Sequence, residues 1–278
     1  MRSVIFQVDA FTDKPFTGNP AAVCILPEPR DECWMQKVAQ EMNVSETAFL
    51  YRQKDSFNLR WFTPAVEVDL CGHATLASAH VLWEAGYMKP DQQVRFYTRS
   101  GLLTAEHNGD WIELDFPAEP EEQVAPPLGL ARALGVTPKY VGKNRFGYLV
   151  EVDSEETVRN LKPNFGLLSE ISAEGVIVTS LAATQSYDFV SRFFAPKLGI
   201  NEDPVTGSAH CCLGPFWRKH LNKNEFIAYQ ASGRGGVVRV RLSGKRVYPG
   251  GQAVTVLRGE LTRSLSRTAG MSSDASER

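Results

Sequence analysis

Three short stretches carry polar groups that no strand or helix needs for its own packing. Ser45-Glu46-Thr47 sits between a helical pattern and an apolar strand. Glu46 abuts Ala48-Phe49-Leu50, and apolar walls favour the neutral form of a carboxyl, a setting that suits proton transfer. The plain alternative is a surface glutamate at a strand start. Asp69-Leu70-Cys71-Gly72-His73 opens an apolar helix. His73 at the first helical turn is placed to donate to a substrate oxygen or act as an acid, or else to bond the backbone. Residues two apart do not face each other on a helix, so Cys71 reads as a small packing residue rather than a thiolate paired with His73. In Glu202-Asp203-Pro204-Val205-Thr206-Gly207-Ser208, Gly207 lets a ligand approach the backbone, and Ser208 offers a hydroxyl and an N–H. Asp203 or Thr206 is otherwise a helix N-cap.

The last two stretches belong to a repeat. Arg60-Trp61-Phe62-Thr63-Pro64 precedes Cys71-Gly72-His73-Ala74-Thr75, and Arg192-Phe193-Phe194-Ala195-Pro196 precedes Thr206-Gly207-Ser208-Ala209-His210. Each copy then reaches a Ser-Gly step, Ser100-Gly101 and Ser232-Gly233. A repeat of this kind fixes architecture before any single residue is read. Two small-residue turns, each opening a helix, present two N-termini to one cleft. Each N-terminus carries free N–H groups and about half a positive charge, so the pair suits an anion such as a carboxylate.

The elements that position these groups follow from pattern. Ile5–Val8, Ala21–Leu26, Ala48–Tyr51 and Phe57–Phe62 read as strands, and Gly18-Asn19-Pro20 reads as a turn. Met35–Met42 is an amphipathic helix. His73–Gly86 is apolar nearly all round, as a helix wrapped by strands must be. Pro117–Pro127 is the linker candidate, and the second half repeats the order, with Ala209–His220 as its central helix. Gly214-Pro215 inside that helix predicts a kink or an early stop. The expected domains are residues 1–117 and 118–261, with the last strand free to return to the first domain, and 262–278 is an apolar-poor tail expected to be disordered.

Composition bounds the rest. The 278 residues are 43% hydrophobic with a net charge of −2, which favours neither nucleic acid nor an anionic membrane. No apolar run is long enough to span a bilayer, and the first strand is too short for a signal peptide. Five cysteines without framework spacing read as free thiols of a reducing cytoplasm. His210, Cys211 and Cys212 are consecutive, so no zinc-ligand spacing appears and no metal is expected. Neither a P-loop nor a Gly-x-Gly-x-x-Gly turn is present. The glycine-rich run Ser232–Gly236 reads as a loop or bulge between strands.

Four segments together resemble the PhzF-like, or phenazine biosynthesis-like, family. They are Val8-Asp9-Ala10-Phe11-Thr12 with Gly18–Val23, Asn43–Phe49, Arg60–Pro64 with Cys71–Thr75, and Glu202–His210. The resemblance implies an α+β, diaminopimelate-epimerase-like fold. It has two pseudo-symmetric domains, each a curved, barrel-like sheet around a central helix, with the site between them. It implies a cofactor-independent isomerase, often a homodimer, acting on a small carboxylate. Glu46 would move the proton, and His73, Asp203, Gly72, Gly207 and Ser208 would line the site. The related epimerases use two cysteines; Cys71 lies in the first motif, but the second turn has none, which argues against two-thiol epimerisation. A non-catalytic metabolite- or protein-binding member of the same fold is the competing reading, and the substrate stays unnamed.

Overall fold

The computed structural model describes residues 3–262. Runs rich in Val, Ile, Phe and Trp, punctuated by Gly, Pro and Asn, form its strands. The first half runs β1 (Ser3–Ala10), β2 (Asn19–Leu26), α1 (Glu32–Met42), β3 (Glu46–Gln53), β4 (Ser56–Phe62), β5 (Glu67–Val68), α2 (Gly72–Glu84), β6 (Val94–Thr98), β7 (Gly101–Asn108) and β8 (Trp111–Leu114). Short strands β9 (Phe116–Pro117) and β10 (Glu122–Gln123) and helix α3 (Leu130–Leu134) follow. The second half is β11 (Tyr140–Lys143), β12 (Gly147–Glu151), α4 (Glu155–Asn160), α5 (Phe165–Ser169), β13 (Gly175–Leu181), β14 (Phe189–Ala195), β15 (Ile200–Asp203), α6 (Gly207–Leu221), β16 (Glu225–Gln230), β17 (Gly236–Ser243) and β18 (Arg246–Gly251). A last strand, β19 (Ala253–Leu261), closes the chain.

The sequence repeat is a repeat of pairing. From β1 to β8 successive pairs are antiparallel, parallel, antiparallel, antiparallel, parallel, antiparallel and antiparallel, with β4 bonded to both β5 and β6. From β11 to β18 the same order recurs, with β14 bonded to β15 and β16. The halves are stitched together by β18 on β8 and β9, and by β19 on β1. Helix α2 is buried from Gly72 to Trp83 apart from His80, which suits its nearly all-apolar sequence. Helix α6 is its counterpart. Each half repeats one clamp as well. Arg60 grips Glu67 at 2.6 Å, and Arg192 grips Glu202 through two bonds of 2.7 and 2.8 Å. These pairs tie β4 to β5 and β14 to β15, the strands that lead into the two helix starts.

Three expectations need correction. Helix α1 begins at Glu32 rather than Met35, because the Asp31 side chain accepts from the Trp34 N–H and caps it. Asn19 is not a turn residue; it opens β2 and is fully buried. Helix α6 runs unbroken through Pro215. Proline cannot donate to the carbonyl four residues back, here that of Cys211. The Glu119 N–H donates to that carbonyl instead, at 3.0 Å. The donor comes from the expected linker, which is packed rather than free: Glu122 and Gln123 pair with β11, and Glu121 is buried. Thr262 ends the described residues, so the remainder of the expected 262–278 tail lies outside them.

Candidate active site

The two helix starts meet at the seam between the halves. A Cβ at Gly72 would lie 3.4 Å from the Gly207 Cα and 3.7 Å from the Ser208 nitrogen. The two glycines thus bring the helix starts within van der Waals contact of each other. Neither helix is capped by a side chain: Cys71 and Thr206 hold the N-cap positions without a capping bond. The Thr206 hydroxyl is turned instead to Asp203 Oδ2, at 2.5 Å. Asp203 is not a cap either, so among the described residues no side chain caps the first amides of either helix.

Glu46, Gly72, His73, Asp203, Gly207 and Ser208 all line one cavity of about 340 Å³. Glu46 opens β3 next to the parallel strand β2. Its Oε2 lies 3.1 Å from His73 Nε2, and both atoms are buried. On the other edge of the ring, His73 Nδ1 lies 3.5 Å from Cys71 Sγ. Cys71 and His73 do meet, against the helical-spacing argument. That argument placed both residues on the helix, whereas Cys71 is an extended N-cap residue (φ −144°, ψ 114°) whose side chain swings back.

Burial disfavours charge on His73, but Cys71 and Glu46 at its two nitrogens outweigh burial and hold the imidazole cationic well above its usual range. Burial, with the Glu46 charge behind it, pushes the Cys71 thiol up to about 11. The thiol is thus protonated at neutral pH. Asp203 is pushed up to about 6, first by burial; the His73 charge opposes this, Glu46 adds to it, and bonds from Thr206 and Asn19 oppose it.

Asn19, expected only as a turn residue, joins the site. Its amide donates to Asp203 Oδ1 and to the Val205 carbonyl, both at 2.8 Å, and its oxygen accepts from Ser45 at 3.2 Å. It links the neighbour of Glu46 to Asp203 across the seam. Gln230 holds the same turn: its amide donates to the Asp203 carbonyl and the Thr206 hydroxyl, and its oxygen accepts from the Thr206 N–H. Nothing marks Gln230 in sequence; for Asn19 the one signal is its place between Gly18 and Pro20 in a matched motif.

Donor atoms of Glu46, Cys71 and His73 lie within 4.8 Å of one another. His73 meets the other two with opposite ring nitrogens, an arrangement along which a proton can pass. His210 belongs to none of this: burial pulls it down to about 4, and its Nδ1 is bonded to the Thr206 carbonyl.

Two like halves joined at their central helix starts, with acid–base side chains between, define a diaminopimelate-epimerase-like α+β protein. The comparisons narrow that class. The family described as "Phenazine biosynthesis-like protein" matches residues 8–259, and the chain belongs to it. An uncharacterized isomerase of Halalkalibacterium halodurans is 60% identical over 262 residues, 94% of this chain and 99% of that one. The human phenazine biosynthesis-like domain-containing protein is 41% identical, covering 94% of this chain and 100% of its own. A crystal structure of a PhzF-family protein from Enterococcus faecalis superposes with a TM-score of 0.90 at 42% identity, over 95% and 100% of the two chains. The protein is an isomerase. Among the described residues no helix is long and apolar enough to cross a membrane.

Proposed function

We propose that the protein moves a proton on a small carboxylate by general acid–base catalysis, with no cofactor. The observation that carries this reading is one cavity holding Glu46, His73 and Asp203 beside two uncapped helix starts. The substrate carboxylate sits on the amides that follow Gly72 and Gly207, with the Ser208 hydroxyl and cationic His73 adding to the attraction. Glu46 takes a proton from a carbon acidified by that carboxylate. Charge that develops on the carboxylate is met by oriented N–H groups, which need no rearrangement at that moment. The proton returns at another position from Glu46, or from Asp203, whose acid form persists to about pH 6. Two carboxyls in unlike settings thereby divide the base and acid roles. Homodimerisation, which rests on the family resemblance, and a cytoplasmic setting, which rests on the five free cysteines, remain part of this proposal.

The test begins with a thermal-shift screen of carboxylate metabolites, followed by proton NMR of each hit in deuterated water. Wild type should exchange one carbon-bound proton for deuterium. Glu46→Gln should lose at least a thousandfold of that rate, about 4 kcal/mol of barrier, while its melting and ligand binding persist. Exchange at wild-type rates in Glu46→Gln would end the proton-shuttle role.

A further inference from the structure

Beyond the polar groups at its floor, the polar lining of the cavity is Thr63, Asn144, Tyr148 and Glu174, and the Thr63 hydroxyl and the Asn144 amide donate to backbone carbonyls. Leu70 on the first half and Phe146, Ile177 and Phe193 on the second build its walls. The Phe193 ring has its place because Gly175 has no side chain; a Cβ there would lie 2.3 Å from the ring. Among the described residues no lysine or arginine lines the cavity. Its charged or chargeable side chains besides the thiols are Glu46, His73 and Asp203 at the floor, the buried Tyr148 and the exposed Glu174.

The rim continues the apolar wall into solvent. Val66 lies between β4 and β5 and is 57% exposed; Leu198 lies between β14 and β15 and is 59% exposed. Both line this cavity, and both stand in the repeat-equivalent loop of their half. Scattered exposed aliphatics need no explanation. Two at equivalent places on the rim of one apolar-walled cavity are a different matter, since a ligand that covers them gains from both.

We infer that the substrate is a monocarboxylate whose remainder is an uncharged apolar group, aryl or branched aliphatic, extending from the helix starts to Val66 and Leu198. The inference rests on the carboxylate end lying where the proposed function puts it. With His73 engaged by the first carboxylate, a second one has no other cationic side chain to meet among the described residues of this cavity and would instead encounter Glu174.

Calorimetry tests this with acetate, phenylacetate, 3-phenylpropanoate, its neutral amide, and glutarate. Wild type should bind more tightly as the apolar body grows, by about three- to fourfold per enclosed methylene. Glutarate should bind at least tenfold more weakly than 3-phenylpropanoate. Val66→Ser/Leu198→Ser should lose at least fivefold for 3-phenylpropanoate and nothing for acetate. Each single change should lose part of that, and because both residues are exposed the melting temperature should hold. Carboxylates that bind regardless of their body, glutarate that binds as well as 3-phenylpropanoate, or an unaffected double variant would overturn the inference and leave the carboxylate site standing. Amide binding as tight as acid, or no carboxylate binding at all, would remove the carboxylate site and this inference with it.

Discussion

Charge placement at single residues sets the expected pH behaviour. Asp203 exchanges its proton near pH 6, so kcat/KM should fall as pH rises through that value, where the acid form is lost. Asn19 donates to the Asp203 carboxylate, and such a bond favours the charged form. In Asn19→Leu the falling limb should therefore move to higher pH, and in Asp203→Asn it should vanish; a pH–rate profile decides. His73 governs stability differently. Its folded pKa is raised above 6.5, so the stability it lends is complete below that value and is lost as pH climbs through the folded one. Melting temperatures of wild type should decline on the alkaline side, and those of His73→Gln should decline less. The identity of these groups was legible because each stands in a motif the helices and strands do not require. Their company was not. Cys71 reaches His73 only because the N-cap backbone is extended, and Asn19 reaches Asp203 across a separation of 184 residues. Neither contact follows from local spacing.

Among the elements, helix α6 shows how a local rule yields to tertiary structure. Pro215 ought to break it, but the Cys211 carbonyl that proline leaves unbonded is taken by Glu119. Gly214 has a separate reason. A Cβ there would lie 3.0 Å from Val240 Cγ1 and 3.3 Å from Leu242 Cδ1 on β17. Gly214→Val should therefore destabilise the fold by about 1–3 kcal/mol through overpacking, measured by urea denaturation. A variant as stable as wild type would show that α6 can lift from β17 at no cost. Strand and helix order was legible from the repeat, since two copies of one pattern constrain each other. The docked linker was not, because its proline and glutamate content marks a connection without saying what the connection touches.

For the whole molecule, the strand that ends the described chain completes the sheet at its beginning. β19 pairs with β1 from Ser3 opposite Leu261 to Ala10 opposite Ala253. A chain cut after Gln252 should lose its cooperative thermal transition, whereas one cut after Thr262 should melt as the full chain does; calorimetry on both checks this. The pairing also has a consequence during synthesis. β1 leaves the ribosome well before its β19 partner, because most of the described chain lies between them. At ordinary translation speeds the interval is on the order of tens of seconds. Throughout it, β1 has only β2 beside it, and an open strand edge recruits other chains. The nascent protein thus passes through a long window of aggregation hazard that the finished one does not face. Soluble yield should depend on chaperone supply and on elongation rate more steeply than the finished protein's stability would suggest.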